Sequence, residues 1–188
     1  MDISSLLSTI LSNESVAGVA AQVGVNEKDV KNVLSSALPM LLNGANAQSI
    51  DESTAESFAN ALAEHAQSDT TDITAFLQNV DIKDGAKIIS HLLGSAEQNQ
   101  TADVARIAGI STSDTGSVLA GVAPLLMSLL GKQTASEGNS GASVSSLMGS
   151  LLGGNDLSGL IGGLLGAGGD KDEKKNGLGI LGMLFGKR

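Results

Sequence analysis

An all-α fold is what this 188-residue chain predicts, and three observations predict it. Apolar residues return at helical spacing through most of the first 132 positions, whereas no stretch keeps the period-two alternation of a strand. A block of about 25 residues also recurs 85 positions downstream, so one helical unit is expected twice.

The elements follow in order. Ile3, Leu6, Leu7, Ile10 and Leu11 form the stripe of a first helix. Val30, Val33, Leu34, Ala37, Leu38, Leu41 and Leu42 form a longer one. Shorter stripes follow at Ala55, Phe58, Ala59 and Leu62, at Ile73, Phe76 and Leu77, and at Ile88, Ile89, Leu92 and Leu93. Asp51 and Asp72 precede two of these and are expected as N-caps, because a short carboxylate accepts from the free amides of a first turn.

At a shift of 85, Ala17–Leu41 lies on Ala102–Leu126 with identities that include Gly24/Gly109, Asp29/Asp114, Val33/Val118, Leu34/Leu119 and Pro39/Pro124. The stripes of Leu6 and Ile88 match at a shift of 82. Gly24 and Gly109 suit a left-handed helix end, and Asn26 with Asp29, or Ser111 with Asp114, suits the start of the next helix. Each unit therefore reads as three helices with a helix-turn-helix at its centre. Pro39 and Pro124 lack a donor and crowd the carbonyls of Ser35 and Ala120, so a kink or a break is expected at each. The domain organisation is a duplicated helical domain over residues 1–132, with repeat units at about 1–44 and 84–132 joined by helices within 51–80.

Residues 133–188 are a different material. They hold 15 of the 24 glycines with acids and bases in balance, whereas residues 1–132 carry all of the net charge of −9. Glycine raises the entropy lost on ordering, so this Gly/Leu-rich segment is expected to be a low-complexity, partly disordered tail. Gly149/Gly153, Gly159/Gly163, Gly162/Gly166 and Gly182/Gly186 nevertheless set small residues four apart among leucines, the spacing that lets helix backbones approach closely.

The absence of cysteine excludes disulfides, thiol nucleophiles, thiolate zinc sites and c-type haem attachment. The acidic balance opposes binding to nucleic acid or an anionic membrane. The first residues lack the basic start and cleavage site of a secretory signal, and no run approaches the roughly 20 consecutive apolar residues of a spanning helix, the longest candidate being 157–169. The expected location is cytoplasmic.

Asp103–Leu119 resembles the DNA-reading element of the lactose-repressor family in the spacing of Ala105, Gly109 and Val118. That resemblance implies reading positions at Thr112, Ser113 and Ser117, all short and uncharged, with Asp114 facing phosphate; the first copy offers Lys28 and Asn32. Arg106 is the one basic residue between Ala102 and Leu130, a deficit for phosphate binding, and the helix that follows is apolar around most of its circumference. Over residues 1–132 the paired acidic, Ala/Leu-rich units, with proline ahead of Met40-Leu-Leu-Asn-Gly and Leu125-Leu-Met-Ser-Leu-Leu-Gly, resemble the bacterial domain-of-unknown-function family numbered 937, related to YidB-like proteins. The resemblance implies a duplicated, homeodomain-like helical fold and no catalytic residues.

Candidate chemistry is sparse. Of the only histidines, His65 follows Glu64 on an exposed face and His91 adjoins the Ile88/Leu92 stripe, and both read as solvated or boundary residues. Glu52 with Glu56, and Asp81 with Asp84, have helical spacing near helix starts, where acids serve the dipole. Gly177–Gly182 matches the dinucleotide glycine pattern without a preceding strand. No catalytic, cofactor-binding or metal-binding residue is assigned, and no enzyme is expected. The leading expectation is self-assembly or binding of a protein partner through the tail, with peripheral membrane contact as a variant. The alternative is a DNA-associated protein using the helix-turn-helix units.

Overall fold

The computed structural model describes residues 3–135, which all fall in the first of two contact units, residues 1–154 and 155–188. Among the described residues every regular element is helical. They are α1 (Ile3–Ile10), α2 (Asn13–Val23), α3 (Glu27–Ile50), α4 (Ala55–Ala66), α5 (Ile73–Gln78), α6 (Ile82–Leu93), α7 (Glu97–Ala108) and α8 (Thr112–Ala135), with a 3-10 turn at Gly94–Ala96.

Local chemistry sets most of the boundaries. Gly24 and Gly109 adopt φ of 72° and 76°, and their amides bond to the Ala20 and Ala105 carbonyls, closing α2 and α7 in the left-handed form that glycine takes without penalty. Two residues on, the Asp29 amide donates to Asn26 Oδ1 and the Asp114 amide to Ser111 Oγ, each at 3.0 Å. The helices these caps open, α3 and α8, are both 24 residues long and stand 85 positions apart at both ends. The tail spacings and Gly177–Gly182 lie outside the described residues.

Two expectations are corrected. Of the kink or break expected at each proline, the break does not occur: α3 runs through Pro39 and α8 through Pro124. Each proline costs one backbone bond, and the buried residues on both sides, Leu38 and Leu41 in α3 and Val122 and Leu125 in α8, hold the helix together across it. Asp51 is not an N-cap of α4 but the C-cap of α3, its amide donating to the Ala47 carbonyl at 3.2 Å. The long apolar face of α3 carries that helix to Ile50, so Asp51 ends it. Its carboxylate instead accepts from the Ser53 hydroxyl and amide, which holds its pKa below 3.8. Asp72 does cap α5, taking the Ala75 amide at 2.9 Å.

α8 is the axis of the core. Every residue from Val118 to Gly131 is buried, with α6 and α4 packed along it and α2, α7 and α3 completing the surround. Contrary to the expectation that no run is long enough to span, α8 is by length and composition a helix that could cross a membrane, but 83% of its apolar window is buried inside the protein. Backbone meets backbone at three glycines. A Cβ on Gly85 of α6 would lie 1.8 Å from the Ala120 oxygen of α8, one on Gly131 of α8 would lie 2.1 Å from the Leu62 oxygen of α4, and one on Gly44 of α3 would lie 2.5 Å from the Leu92 oxygen of α6. The Ala120 carbonyl is the one that Pro124 deprives of its helical donor, so α6 closes on α8 at the point where the proline has left an oxygen free.

Gly85→Ala is therefore expected to force α6 off α8 and lower unfolding stability by at least ~2 kcal/mol. Gly116→Ala, at a helical position with nothing within 4 Å, is expected to raise stability by about 0.5–1 kcal/mol. Urea unfolding midpoints of the two variants check both signs.

Candidate functional site

The helix-turn-helix surface offers little to a groove. Thr112 and Ser113 are exposed at the start of α8, and the half-buried Ser117 donates to the Ser113 carbonyl at 3.1 Å. Asp114 is held in the cap by the Ser111 hydroxyl at 2.8 Å. Arg106 is engaged with Asp103 at 3.1 Å, an exposed pair, and from Val118 the helix is enclosed by its neighbours. In α3, Lys28, Lys31 and Asn32 are exposed beside Glu27, while Asp29 is held by the Asn26 side-chain amide.

The two histidines, separate in sequence, come to the wall of one cavity of about 200 Å³. Phe58, Ala61 and His65 line it from α4, Ile88 and His91 from α6, and Met127 from α8. Phe58 and Met127 are buried, His65 is half-buried and His91 is exposed. Gln48, near the end of α3, closes one side by donating Nε2 to the His91 carbonyl at 2.8 Å. His91 flanks its apolar stripe as expected, whereas His65, expected on an exposed face, is half-buried. Their sharing one wall requires α4 and α6 both to pack on α8, and no pattern within either helix carries that.

A larger open cleft of about 530 Å³ shares His65. Its acidic residues are Asp69, Asp72, Asp81 and Asp84, with Phe76 and Pro124 among its apolar walls. Asp72 and Asp81 cap α5 and α6, the latter accepting from the Lys83 amide at 2.8 Å. Asp69 accepts from the Thr71 amide at 2.9 Å; that bond, with the Thr71 hydroxyl and more weakly Lys132, holds its carboxyl below 3.8. The carboxylate of Asp84, a half-buried residue in the first turn of α6, accepts no hydrogen bond from a described residue. Glu56 stands in the first turn of α4, but Glu52 lies in the turn before it, so that pair does not share a helix face.

Among the described residues no three histidine, aspartate or glutamate side chains converge to hold a metal ion. The exposed large aliphatics among them are Ile50, at 62% exposure, and Ile107, at 64%.

One family model, described as "Bacterial protein of unknown function (DUF937)", matches residues 5–133 and, separately, residues 134–188. No curated protein and no solved structure matches the chain.

The Asp69 geometry fixes a pH response. A carboxyl depressed in the folded state stabilises the fold above its unfolded value near 3.8, and that contribution disappears as pH falls through the lower folded value. Thr71→Val keeps the amide donor and removes the hydroxyl, so the Asp69 carboxyl is expected to titrate closer to 3.8. Carbon-detected NMR titration of the side-chain carboxyl measures it.

Proposed function

The chain belongs to that family of bacterial proteins of unknown function, and on that premise we propose that it acts as a non-enzymatic, cytoplasmic protein that associates with itself or a protein partner through residues 133–188. One observation carries this reading. The helical body has enclosed its own apolar residues, α8 included, and leaves Ile50 and Ile107 as its exposed large aliphatics among the described residues. The remaining apolar material of the chain is in the segment after it, where Leu160, Ile161, Leu164 and Leu165 alternate with glycines. Isolated exposed aliphatics are ordinary on a protein surface, whereas contiguous apolar sequence seeks a partner.

Two further points support the reading. The segment's glycines, four apart, repeat the means by which the body joins its helices, since Gly85, Gly131 and Gly44 each admit a neighbouring backbone oxygen. The family model matches residues 134–188 as well as the body, so the segment falls within the family's matched range.

Binding of DNA through the helix-turn-helix units has weaker support. Phosphate contacts depend on lysine and arginine, and here Arg106 is engaged with Asp103 while the helix in the reading position, α8, is enclosed from Val118.

Sedimentation velocity tests the proposal with three proteins: the full chain, a chain ending at Ala135, and the full chain with Leu160→Asn and Leu164→Asn. The full chain is expected to sediment as an oligomer, or with a partner present as a complex, and the other two as monomers. Three identical monomers, with and without partner extract or lipid, overturn it. Tight binding of duplex DNA that falls steeply with salt favours the alternative.

A further inference from the structure

α2 and α7 hold the same place in the two helix-turn-helix units, closed by Gly24 and Gly109, yet one is covered where the other is bare. On α2 the face of Gly18 and Gln22 lies under α5. A Cβ on Gly18 would stand 2.8 Å from the Leu77 side chain, and Gln22 Nε2 donates to the Val80 carbonyl, just beyond α5, at 2.9 Å. The residues 85 positions on are Asp103 and Ile107 of α7, and Gln100 corresponds in the same way to Ser15. Ser15 and Gly18 are buried, whereas Asp103 is exposed and Ile107 is 64% exposed. Gln100, Asp103 and Ile107 line a cleft of about 560 Å³ from α7, Pro39 and Met40 line it from α3, and the buried Leu93 is on its wall. Gln100 Oε1 is shut off from water there and has no hydrogen-bond partner among the described residues. A buried carbonyl oxygen left unpaired marks a place where a further donor belongs.

The chain holds a second sequence of the kind that covers α2. Asp72 caps α5 ahead of Ile73, Phe76 and Leu77. At a shift of 84, Asp156 precedes Leu157, Leu160 and Ile161 at the same spacing, with Ser158 for Thr74 and Gly159 for Ala75. We propose that residues 156–165 of a second copy of the chain occupy the α7 cleft as α5 occupies α2, with Leu160 and Ile161 between Met40 and Ile107. This rests on the reading of residues 133–188 as the associating segment, and it supplies the surface that receives them. Size and charge both suit the fit. α2 offers a glycine to a leucine of α5, whereas α7 offers Asp103, and Gly159 and Gly162 leave its side chain room. Two bodies of net charge −9 repel each other, but residues 157–169 carry no charge and approach an acidic surface without that cost. Residues 136–155 join them to α8 and reach ~65 Å when extended, enough to meet a neighbouring copy. The free amides of a first turn at Leu157 give Gln100 Oε1 the donor it lacks.

The chain contains no cysteine, so Ala167→Cys gives one attachment point for a nitroxide label just past the apolar stripe. The labelled full chain is mixed with unlabelled, isotope-enriched full chain, so that NMR reads only contacts between copies. The amides of Gln100, Val104 and Ile107 are expected to lose most of their intensity, whereas Gly18 and Gln22, under α5, keep theirs. Ile107→Lys in the enriched chain, at an exposed position, and Leu160→Asn with Ile161→Asn in the labelled chain are each expected to abolish the broadening. In sedimentation velocity Ile107→Lys is expected to weaken association about tenfold. Oligomers unchanged by Ile107→Lys, with broadening elsewhere on the body, overturn the α7 site and leave association through residues 133–188 standing, whereas monomers throughout overturn both. Broadening at α7 that appears only when label and isotope share one chain also overturns the proposal, because the occupant is then not a second copy.

Discussion

The architecture depends on one steric condition, that helix backbones touch α8 with no side chain between them. Gly131 admits the Leu62 carbonyl of α4, and Gly85 on α6 admits the Ala120 carbonyl of α8. At these points the spacing between helices is set by main-chain atoms, and the leucines on either side, Leu119, Leu126 and Leu130, are then fully buried. Because α4 and α6 are both held close to α8, side chains from each reach the wall of one cavity. His65 and His91 line it together for that reason, and the cavity is a product of helix spacing more than of either helix.

The same condition accounts for the different roles of α3 and α8. The two have equal lengths and equivalent caps, yet positions 85 residues apart differ where it matters: Lys31, Ser36, Asn43 and Asn46 of α3 face Gly116, Gly121, Ser128 and Gly131 of α8. Asn46 stands where α8 has the glycine that receives α4. Polar residues on α3 keep one side toward water, whereas α8 has small residues all round and is enclosed. An amphipathic helix and a central one thus come from the same pattern with a few side chains removed.

Much of this was legible in the sequence because its causes are local. Gly24 and Gly109 end helices through their own φ, Asp72 and Ser111 cap through amides three residues away, and the apolar stripes mark which side of each helix turns inward. The readings that failed are those in which tertiary packing outweighs a local rule. Pro39 and Pro124 carry a real cost, but it is one hydrogen bond set against a buried leucine face on both sides. Asp51 has the chemistry of an N-cap and lost that place because α3 extends into the segment before α4. The cavity and the acidic cleft were out of reach for a different reason, since Pro124, Met127, His65 and Asp84 belong to three helices and no periodicity within one helix reports on another.

The position of α8 in the chain has a consequence for biosynthesis. A ribosome releases α1 to α7 before the helix around which they assemble, so the early helices emerge with their apolar sides lacking a common partner. Nascent chains of this kind acquire their tertiary structure late, in one step, when the stretch from Val118 to Gly131 clears the exit tunnel. Until then that stretch is the most lipid-like part of the described polypeptide, and the speed with which its neighbours close over it decides whether it ends up inside the protein or against something else.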